Sequence, residues 1–388
     1  MKRLFTITIL AMCTFVVAHA QNSIQATVSD EQGNPIPYVT VYNGVTKRSV
    51  ITNKEGKFDI TCQPGDGIFF TRLGYQEQKY TAGELQHVHE VTLKGATVEG
   101  SDASMDAKVV VRKFLEKIKK NYPVKAAILK GVYKESCYIE NECYGFFQSD
   151  LDILINHLTS GATPAYKTKI YNLTASKHPD LTSPMSSDSR YYYIQLWLFR
   201  HSFLWNFTRY EFRNAGTITY NGSKLSKITF QPLQIDKSVK QFTGTMYIDL
   251  KSFALVYFQY DLLPDEAGQV YEGRWGKYLK EESSILFGNN KGKYYPAYVI
   301  FERTLLGIGS EWEAPSLKDK ENIQIEFTFN FFTEEFKTDT KGFVSECQFY
   351  DLNLDRMVPV EHADNIKSDV ILETEQEKLL DKRYFKAK

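Results

Sequence analysis

Residues 24–93 constrain the fold of this chain most strongly, because short segments of alternating apolar and polar residues are separated there by turn-forming residues. Ile24, Ala26 and Val28, for example, alternate with polar neighbours. Alternation with a period of two is typical of strands that bury one face. Turn signals separate the segments at 30–34, 53–56 and 64–67. Six or seven short strands with a turn about every 10 residues predict a small β-sandwich.

The turns of this segment and the residues that follow them resemble a known family. The matching residues are Asp30 to Gly33, Pro35 to Val39, Asn53 to Gly56 with Phe58, and Gly74 with Tyr75. With them, residues 22–94 resemble the carboxypeptidase regulatory-like domain, a transthyretin-like β-sandwich. The resemblance implies a docking or folding accessory of exported Gram-negative envelope proteins, including the leading segments of outer-membrane receptors, and it implies no catalytic residue.

Residues 1–20 have the pattern of a secretory signal peptide. Lys2 and Arg3 precede an apolar run from Leu4 to Val17, and Ala18 and Ala20 occupy the positions that a signal peptidase recognises. This pattern predicts an exported chain, in the periplasm or associated with the outer membrane of a Gram-negative bacterium. A lipoprotein signal at Cys13 is disfavoured because Met12 is large for the position before the cysteine. No later apolar run is long enough to predict a transmembrane helix.

Charge is balanced over the 388 residues, with 47 lysines and arginines against 47 aspartates and glutamates. A chain without net charge has no general attraction to nucleic acid, so nucleic-acid binding is not expected. The length indicates two or three domains. We expect a linker at 95–106 after the β-sandwich.

The rest of the chain predicts an α+β domain at 107–362 and a charged, helical tail at 363–388. Asp106 is the expected N-cap of a helix that ends before Pro123, because the residue before proline avoids helical angles. Asn221 and Gly222 form a strong hairpin signal. Strands are predicted at 128–139, 144–155, 210–220, 225–230, 242–250, 254–262, 294–305 and 323–332. The fold class is therefore mainly β, with a large antiparallel sheet.

Two segments of this region carry a second resemblance. Phe242 to Asp249 with Ala254 to Val256, and Gly131 to Glu135, are similar to the curved antiparallel sheet of lipoprotein-carrier-like periplasmic domains. The resemblance implies a curved sheet in the second domain. This chain differs from those carriers because it has the leading β module at residues 22–94, which they lack.

Catalytic and metal-binding patterns are weak. His87 and Glu90 have the spacing of zinc ligands, but residues three apart on a strand point to opposite faces, so we expect no metal and no cofactor. Cys137 and Cys143 flank a predicted hairpin turn at Asn141, where a disulfide and two free thiols are equally compatible with the sequence. Because the catalytic patterns are weak, we expect that the protein is not an enzyme.

Aromatic residues are concentrated at 191–212. One interpretation is a platform that stacks on sugars or receives acyl chains, with Trp197, Phe203 and Trp205 as ligand-binding residues. The other is a core that packs a sheet against a helix, and it is favoured because large aromatic residues are usually buried.

Three functional hypotheses follow. The first is a non-enzymatic envelope protein with a docking module and a second domain that binds a lipid, a glycan or an envelope protein. The second is a divergent peptidase or other hydrolase with an accessory β domain. The third is a scaffold that adds a strand to the sheet of a partner.

Overall fold

The computed structural model describes residues 22–100, 106–155, 166–177, 207–236, 239–263, 272–273, 276–307, 322–343, Thr374 and Glu377. The chain divides into two compact units, between Lys94 and Gly95. The predicted signal peptide lies outside the described residues, as does the tail apart from Thr374 and Glu377.

The first unit contains seven strands in two sheets. The strands are β1 (Asn22–Ser29), β2 (Thr40–Asn43), β3 (Ser49–Ile51), β4 (Lys57–Cys62), β5 (Gly67–Thr71), β6 (Gln78–Thr81) and β7 (Glu90–Thr92), with a four-residue helix α1 (Ala82–Leu85) after β6. One sheet has the order β4-β1-β7 and the other has the order β3-β2-β5-β6. β1 pairs antiparallel with β4 and parallel with β7.

The core of the first unit follows from the alternation in its sequence. Every second residue of β4 and β5 is buried, and Phe58 and Phe70 meet there with ring centroids 5.5 Å apart. The predicted turns also form: Gly33 and Gly56 have φ angles of 82° and 73°. Such angles favour glycine, which lacks a Cβ. The small β module predicted from the sequence is thus a sheet unit with its own core.

The second unit is dominated by one sheet of 11 strands. Its elements are helix α2 (Ala107–Asn121) and strands β8 (Ala127–Ile139), β9 (Glu142–Ile155), β10 (Tyr166–Lys177), β11 (Tyr210–Tyr220), β12 (Ser223–Pro232), β13 (Phe242–Asp249), β14 (Leu255–Leu262), β15 (Glu272–Gly273), β16 (Gly276–Asn290), β17 (Lys293–Gly307) and β18 (Ile323–Lys337). The order is β10-β9-β8-β18-β17-β16-β14-β13-β12-β11, with β15 on β16. Neighbouring strands are antiparallel, and the mainly β fold class is confirmed.

Helix α2 begins and ends where the sequence predicts. The Asp106 carboxylate accepts a hydrogen bond from the Lys108 amide at 2.8 Å, and the helix ends at Asn121, just before Tyr122 and Pro123. Its apolar side is buried, and the helix contacts β11, β13 and β17. The Tyr122 hydroxyl donates to the Leu255 carbonyl at 2.7 Å. The C-terminal end of α2 is thereby fixed to the large sheet.

Two hairpin turns were predicted, one from the Asn221–Gly222 dipeptide and one near Asn141. Asn221 and Gly222 have φ angles of 47° and 73° and join β11 to β12, while Glu140 and Asn141 have φ angles of 51° and 65° and join β8 to β9. Both turns have positive φ at their two central residues, which matches the right-handed twist of the strands. β10 and β16 were not predicted. β16 contains the charged run Lys280 to Glu282, which hides its alternation.

No helix among the described residues is long and apolar enough to cross a membrane.

Candidate functional site

The two faces of the large sheet have different chemistry. Side chains alternate between the faces along each strand, and residues paired across strands share a face. The pairing Tyr260–Ser283–Phe301–Phe329 therefore follows one face across four strands. The adjacent pairing Asp261–Glu282–Glu302–Thr328 follows the other face. One face is mainly aromatic and aliphatic, and the other is mainly polar.

We call the first of these the aromatic face, defined by side chains on β8, β11 to β14 and β16 to β18. All of them are at most 8% exposed. Its members include Leu129, Tyr133, Tyr210, Phe212, Ile228, Phe230, Phe242, Met246, Phe258, Tyr260, Ile285, Val299, Phe301, Phe327, Phe329 and Phe331.

Aromatic rings contact one another along this face. The Phe301 and Phe329 rings are stacked at 5.2 Å, and the Phe230 and Phe258 rings at 6.0 Å. Phe230 lies over Gly244, where a Cβ would be 2.7 Å from the Phe230 Cζ atom. The missing side chain of Gly244 thus makes room for the ring. Offset stacking of this kind adds stability beyond the area that is buried.

Helix α2 covers one end of the aromatic face. The Tyr122 ring lies 5.4 Å from Phe287 and 5.9 Å from Tyr294, which continue the apolar side of the β16–β17 hairpin. Burial raises the pKa of the Tyr122 hydroxyl well above its ordinary value. This hydroxyl is therefore a neutral hydrogen-bond donor.

A charged cluster lies within the aromatic face. Glu281 and Arg303 are paired across β16 and β17, and both are buried. The Glu281 Oε2 atom accepts hydrogen bonds from Lys240 Nζ at 2.8 Å and from Arg303 Nε at 3.1 Å. Lys240 Nζ also lies 3.9 Å from the centroid of the Tyr278 ring. Two cations thus meet one carboxylate on a surface that is mainly apolar.

The polar face holds a buried ion pair between distant parts of the chain. Lys134 Nζ on β8 lies 2.5 Å from Glu377 Oε2, and the side chains are 5% and 2% exposed. The Ser136 hydroxyl also donates to Glu377. The Glu377 carboxylate accepts from the Thr374 amide at 2.8 Å, and the Glu377 amide donates to the Thr374 hydroxyl at 3.3 Å. This reciprocal pattern is a capping box.

Three carboxylates form a row on the polar face. Asp261, Glu282 and Glu302 lie opposite one another on β14, β16 and β17, and Lys280 Nζ lies 3.1 Å from Glu282 and 3.2 Å from Glu302. Burial, followed by repulsion from Glu302, raises the pKa of Glu282 to about 7. Burial also raises the pKa of Asp261.

This row predicts a pH dependence of stability. Because the pKa of Glu282 is about 7 in the folded state against 4.5 ordinarily, folding favours its protonated form, and this contribution is lost as the pH rises through about 7. Glu282→Gln mimics the protonated form at every pH. We expect its Tm to exceed that of the wild type at pH 8 and to approach it near pH 5, in thermal unfolding followed by circular dichroism.

A matched control is Glu142→Gln, which changes an exposed carboxylate on β9 of the same sheet. Its difference from the wild type should be the same at both pH values. An equal Tm difference for Glu282→Gln at pH 5 and pH 8 would contradict the assignment.

Of the site residues predicted from the sequence, only the two cysteines lie among the described residues. Trp197, Phe203 and Trp205 lie outside the described residues, so their role stays a prediction. Cys137 and Cys143 flank the hairpin as expected, but both are free, buried thiols in the structure and form no bridge there.

The state of these thiols follows from their surroundings. The Cys143 Sγ atom donates to the Gly145 carbonyl at 3.8 Å. Burial raises the pKa of Cys143 to about 12 and that of Cys137 well above its ordinary value. Both are therefore protonated at neutral pH and poorly nucleophilic.

The histidine pattern gives no metal site. His87 and His89 are exposed and precede the short strand β7, which begins at Glu90. In the described part of the chain, no group of histidine, cysteine, aspartate and glutamate side chains has the geometry to hold a metal ion.

Comparison with known proteins gave limited likeness. No family model matches the chain. A TonB-dependent receptor from Formosa agariphila is 29% identical over 107 residues, which are 23% of this chain and 10% of the receptor. The chain thus spans about a tenth of that relative. The resemblance to the regulatory-like domain remains a prediction.

Solved structures show a fainter likeness. A putative outer membrane lipoprotein-sorting protein domain from Vibrio parahaemolyticus is 9% identical with a TM-score of 0.27, covering 64% of this chain and 98% of that one. A LolA superfamily protein from Nitrosomonas europaea is 10% identical with a TM-score of 0.23, covering 60% and 94%. These TM-scores are too low to establish a shared fold.

Proposed function

We propose that this chain is an exported, non-enzymatic protein of the Gram-negative envelope that binds an apolar ligand, such as an acyl chain, on its aromatic face. The observation that carries the proposal is the continuity of this mainly aromatic and aliphatic face over eight strands, from β8 to β11. Ligand sites for apolar molecules are lined mainly by such side chains, with few polar groups.

The charged cluster fits the same proposal. Lys240 and Arg303 approach Glu281 within the aromatic face, next to the Tyr278 ring. An amphiphile with an acidic headgroup combines an apolar chain with a group that these cations attract. A neutral, wholly apolar ligand would use only the aromatic part.

Export and envelope location are supported by two observations. Residues 1–20 have the pattern of a signal peptide, and the relative from Formosa agariphila is named a TonB-dependent receptor. Residues 22–94 would act as a docking module joined by a linker at 95–106 to the binding domain at 107–362, with the tail at 363–388.

The experiment is recovery of the ligand. The protein is purified from an envelope fraction of its exporting host without detergent, and bound lipids are extracted and measured by mass spectrometry. A matching mock purification gives the background. We expect one class of acyl lipid at about one equivalent or less per chain.

Binding is then measured with a fluorescent long-chain fatty acid. Phe301→Leu on the aromatic face should weaken saturable binding by about 3–10-fold, since it removes ring contacts worth about 0.5–1.5 kcal/mol. Thr245→Ser changes the opposite face and should bind as the wild type does. Extracts at background level together with non-saturable fluorescence would exclude the proposal.

A further inference from the structure

Three large aliphatic side chains are exposed together in the loop between β12 and β13. Leu233, Ile235 and Val239 are 54%, 45% and 51% exposed. The other exposed large aliphatic residues of the described chain, apart from Leu279, are single valines on separate segments, namely Val45, Val98, Val109 and Val124. Single exposed aliphatic residues are ordinary, whereas a group of them indicates an interaction surface.

A fourth exposed aliphatic residue, Leu279, lies on β16. It is 40% exposed and lies at the irregularity in the pairing of β16 with β17, between Tyr278 and Lys280. Lys240, the residue after Val239, contacts Tyr278, the residue before Leu279. The two aliphatic side chains therefore lie at the same end of the sheet. We call Leu233, Ile235, Val239 and Leu279 the apolar tip.

Several backbone groups among the described residues of the loop have partners within the protein. The Gln241 side chain accepts from the Asp236 amide at 2.8 Å and donates to the Gln234 carbonyl at 2.8 Å. The Val239 amide donates to the Asp236 carbonyl at 3.3 Å. A loop with satisfied backbone groups can enter an apolar medium at lower cost than one that must give up water.

The composition of the apolar tip distinguishes a lipid surface from a protein partner. Protein interfaces are enriched in aromatic residues and arginine, and each side of a stable interface usually contributes about 20–30 residues. The apolar tip has four aliphatic side chains and no aromatic residue. Such a small aliphatic group is suited to shallow insertion among acyl chains.

Nearby cations favour an anionic bilayer. The exposed Arg209 adjoins the loop, because its carbonyl accepts from the Leu233 amide at 2.9 Å. Lys240 of the same loop, 22% exposed at its side chain, carries a second positive charge and is paired with Glu281. Cations beside an apolar insertion strengthen attachment to anionic headgroups.

We propose that the apolar tip inserts into the surface of an anionic phospholipid bilayer and attaches the protein to it peripherally. This inference does not depend on ligand binding by the aromatic face. It assigns the β12–β13 end of the large sheet as the membrane-facing end of the second unit.

The test is flotation of the purified protein with vesicles of phosphatidylethanolamine and phosphatidylglycerol. The triple variant Leu233→Ser, Ile235→Ser, Val239→Ser should lower the partition coefficient at least tenfold and leave the Tm unchanged, because the three side chains are exposed. Leu279→Ser alone should lower it less. The control Val45→Ser, Val124→Ser removes exposed valines elsewhere and should float as the wild type does.

Three outcomes would overturn the proposal. The first is a wild-type protein that stays unbound to these vesicles, and the second is a triple variant that floats as well as the wild type. The third is a wild type that forms dimers in sedimentation while failing to float, with the dimers lost in the triple variant. That result would assign the apolar tip to contact between protein chains.

Discussion

Glu377→Ala is expected to lower the free energy of unfolding of the second unit by about 3–5 kcal/mol, as removal of one partner from a buried ion pair does. The reason is that Lys134, only 5% exposed at its side chain, would keep its charge inside the fold without the carboxylate at 2.5 Å. The variant also loses the capping box with Thr374. Urea unfolding followed by circular dichroism measures the change.

Two controls separate the cost of a buried unpaired charge from the loss of an ion pair as such. Glu335→Ala breaks the exposed pair with Lys337, whose atoms are 2.9 Å apart, and should have no measurable effect because water screens it. The double variant Lys134→Met, Glu377→Met removes both charges and should recover most of the stability lost in Glu377→Ala, since apolar replacements of buried pairs are often neutral. A single variant as stable as Glu335→Ala would show that the pair is not buried in solution.

Phe329→Ala is the second change with a large expected effect, a loss of about 3–5 kcal/mol of unfolding free energy. Phe329 is fully buried at the centre of the aromatic face, stacked on Phe301 at 5.2 Å and tilted against Tyr133 at 6.3 Å. Truncation removes these contacts and leaves a cavity that a β-strand in the middle of a sheet closes poorly. Denaturant unfolding gives the magnitude.

The matched control for this change is Thr304→Ala on β17, whose side chain lies on the opposite face and is half-buried. We expect it to be within experimental error of the wild type or slightly destabilised. Phe329→Leu should fall between the two. If the aromatic face binds acyl chains, a saturating fatty acid should raise the Tm of Phe329→Ala as well as that of the wild type, because a ligand that binds the folded state stabilises it. A Phe329→Ala variant that unfolds at the wild-type urea concentration would place this ring outside the core.

Much of the fold was predictable from local patterns. Asp106 and Pro123 set the two ends of helix α2, and the Asn221–Gly222 dipeptide set the turn between β11 and β12. These features depend on backbone geometry and hydrogen bonds within a few residues. Strand β16 was not predicted, because the burial of its charged residues depends on partners that are distant in the sequence. Its buried Glu281 looks like a surface residue in the sequence, and only Arg303 on the next strand and Lys240 from the β12–β13 loop make its burial favourable.

The candidate site was less predictable than the fold. The sequence drew attention to Trp197, Phe203 and Trp205, which lie outside the described residues, and not to Phe301 and Phe329. Alternation along β17 and β18 would have placed these two rings on a buried face. It could not show that the faces of β8 and β11 belong to the same surface, because that depends on strand order.

The sequence by itself determined helix α2, the hairpin turns and most strands other than β10 and β16, since alternation, caps and turn residues act over a few neighbouring residues. Only the tertiary structure decided which residues meet, as in the pairing of Lys134 with Glu377, which are 243 residues apart. Neither residue carries a local signal of its partner. The energy of a buried charge depends on what surrounds it in three dimensions, and the folded sheet alone supplies those surroundings.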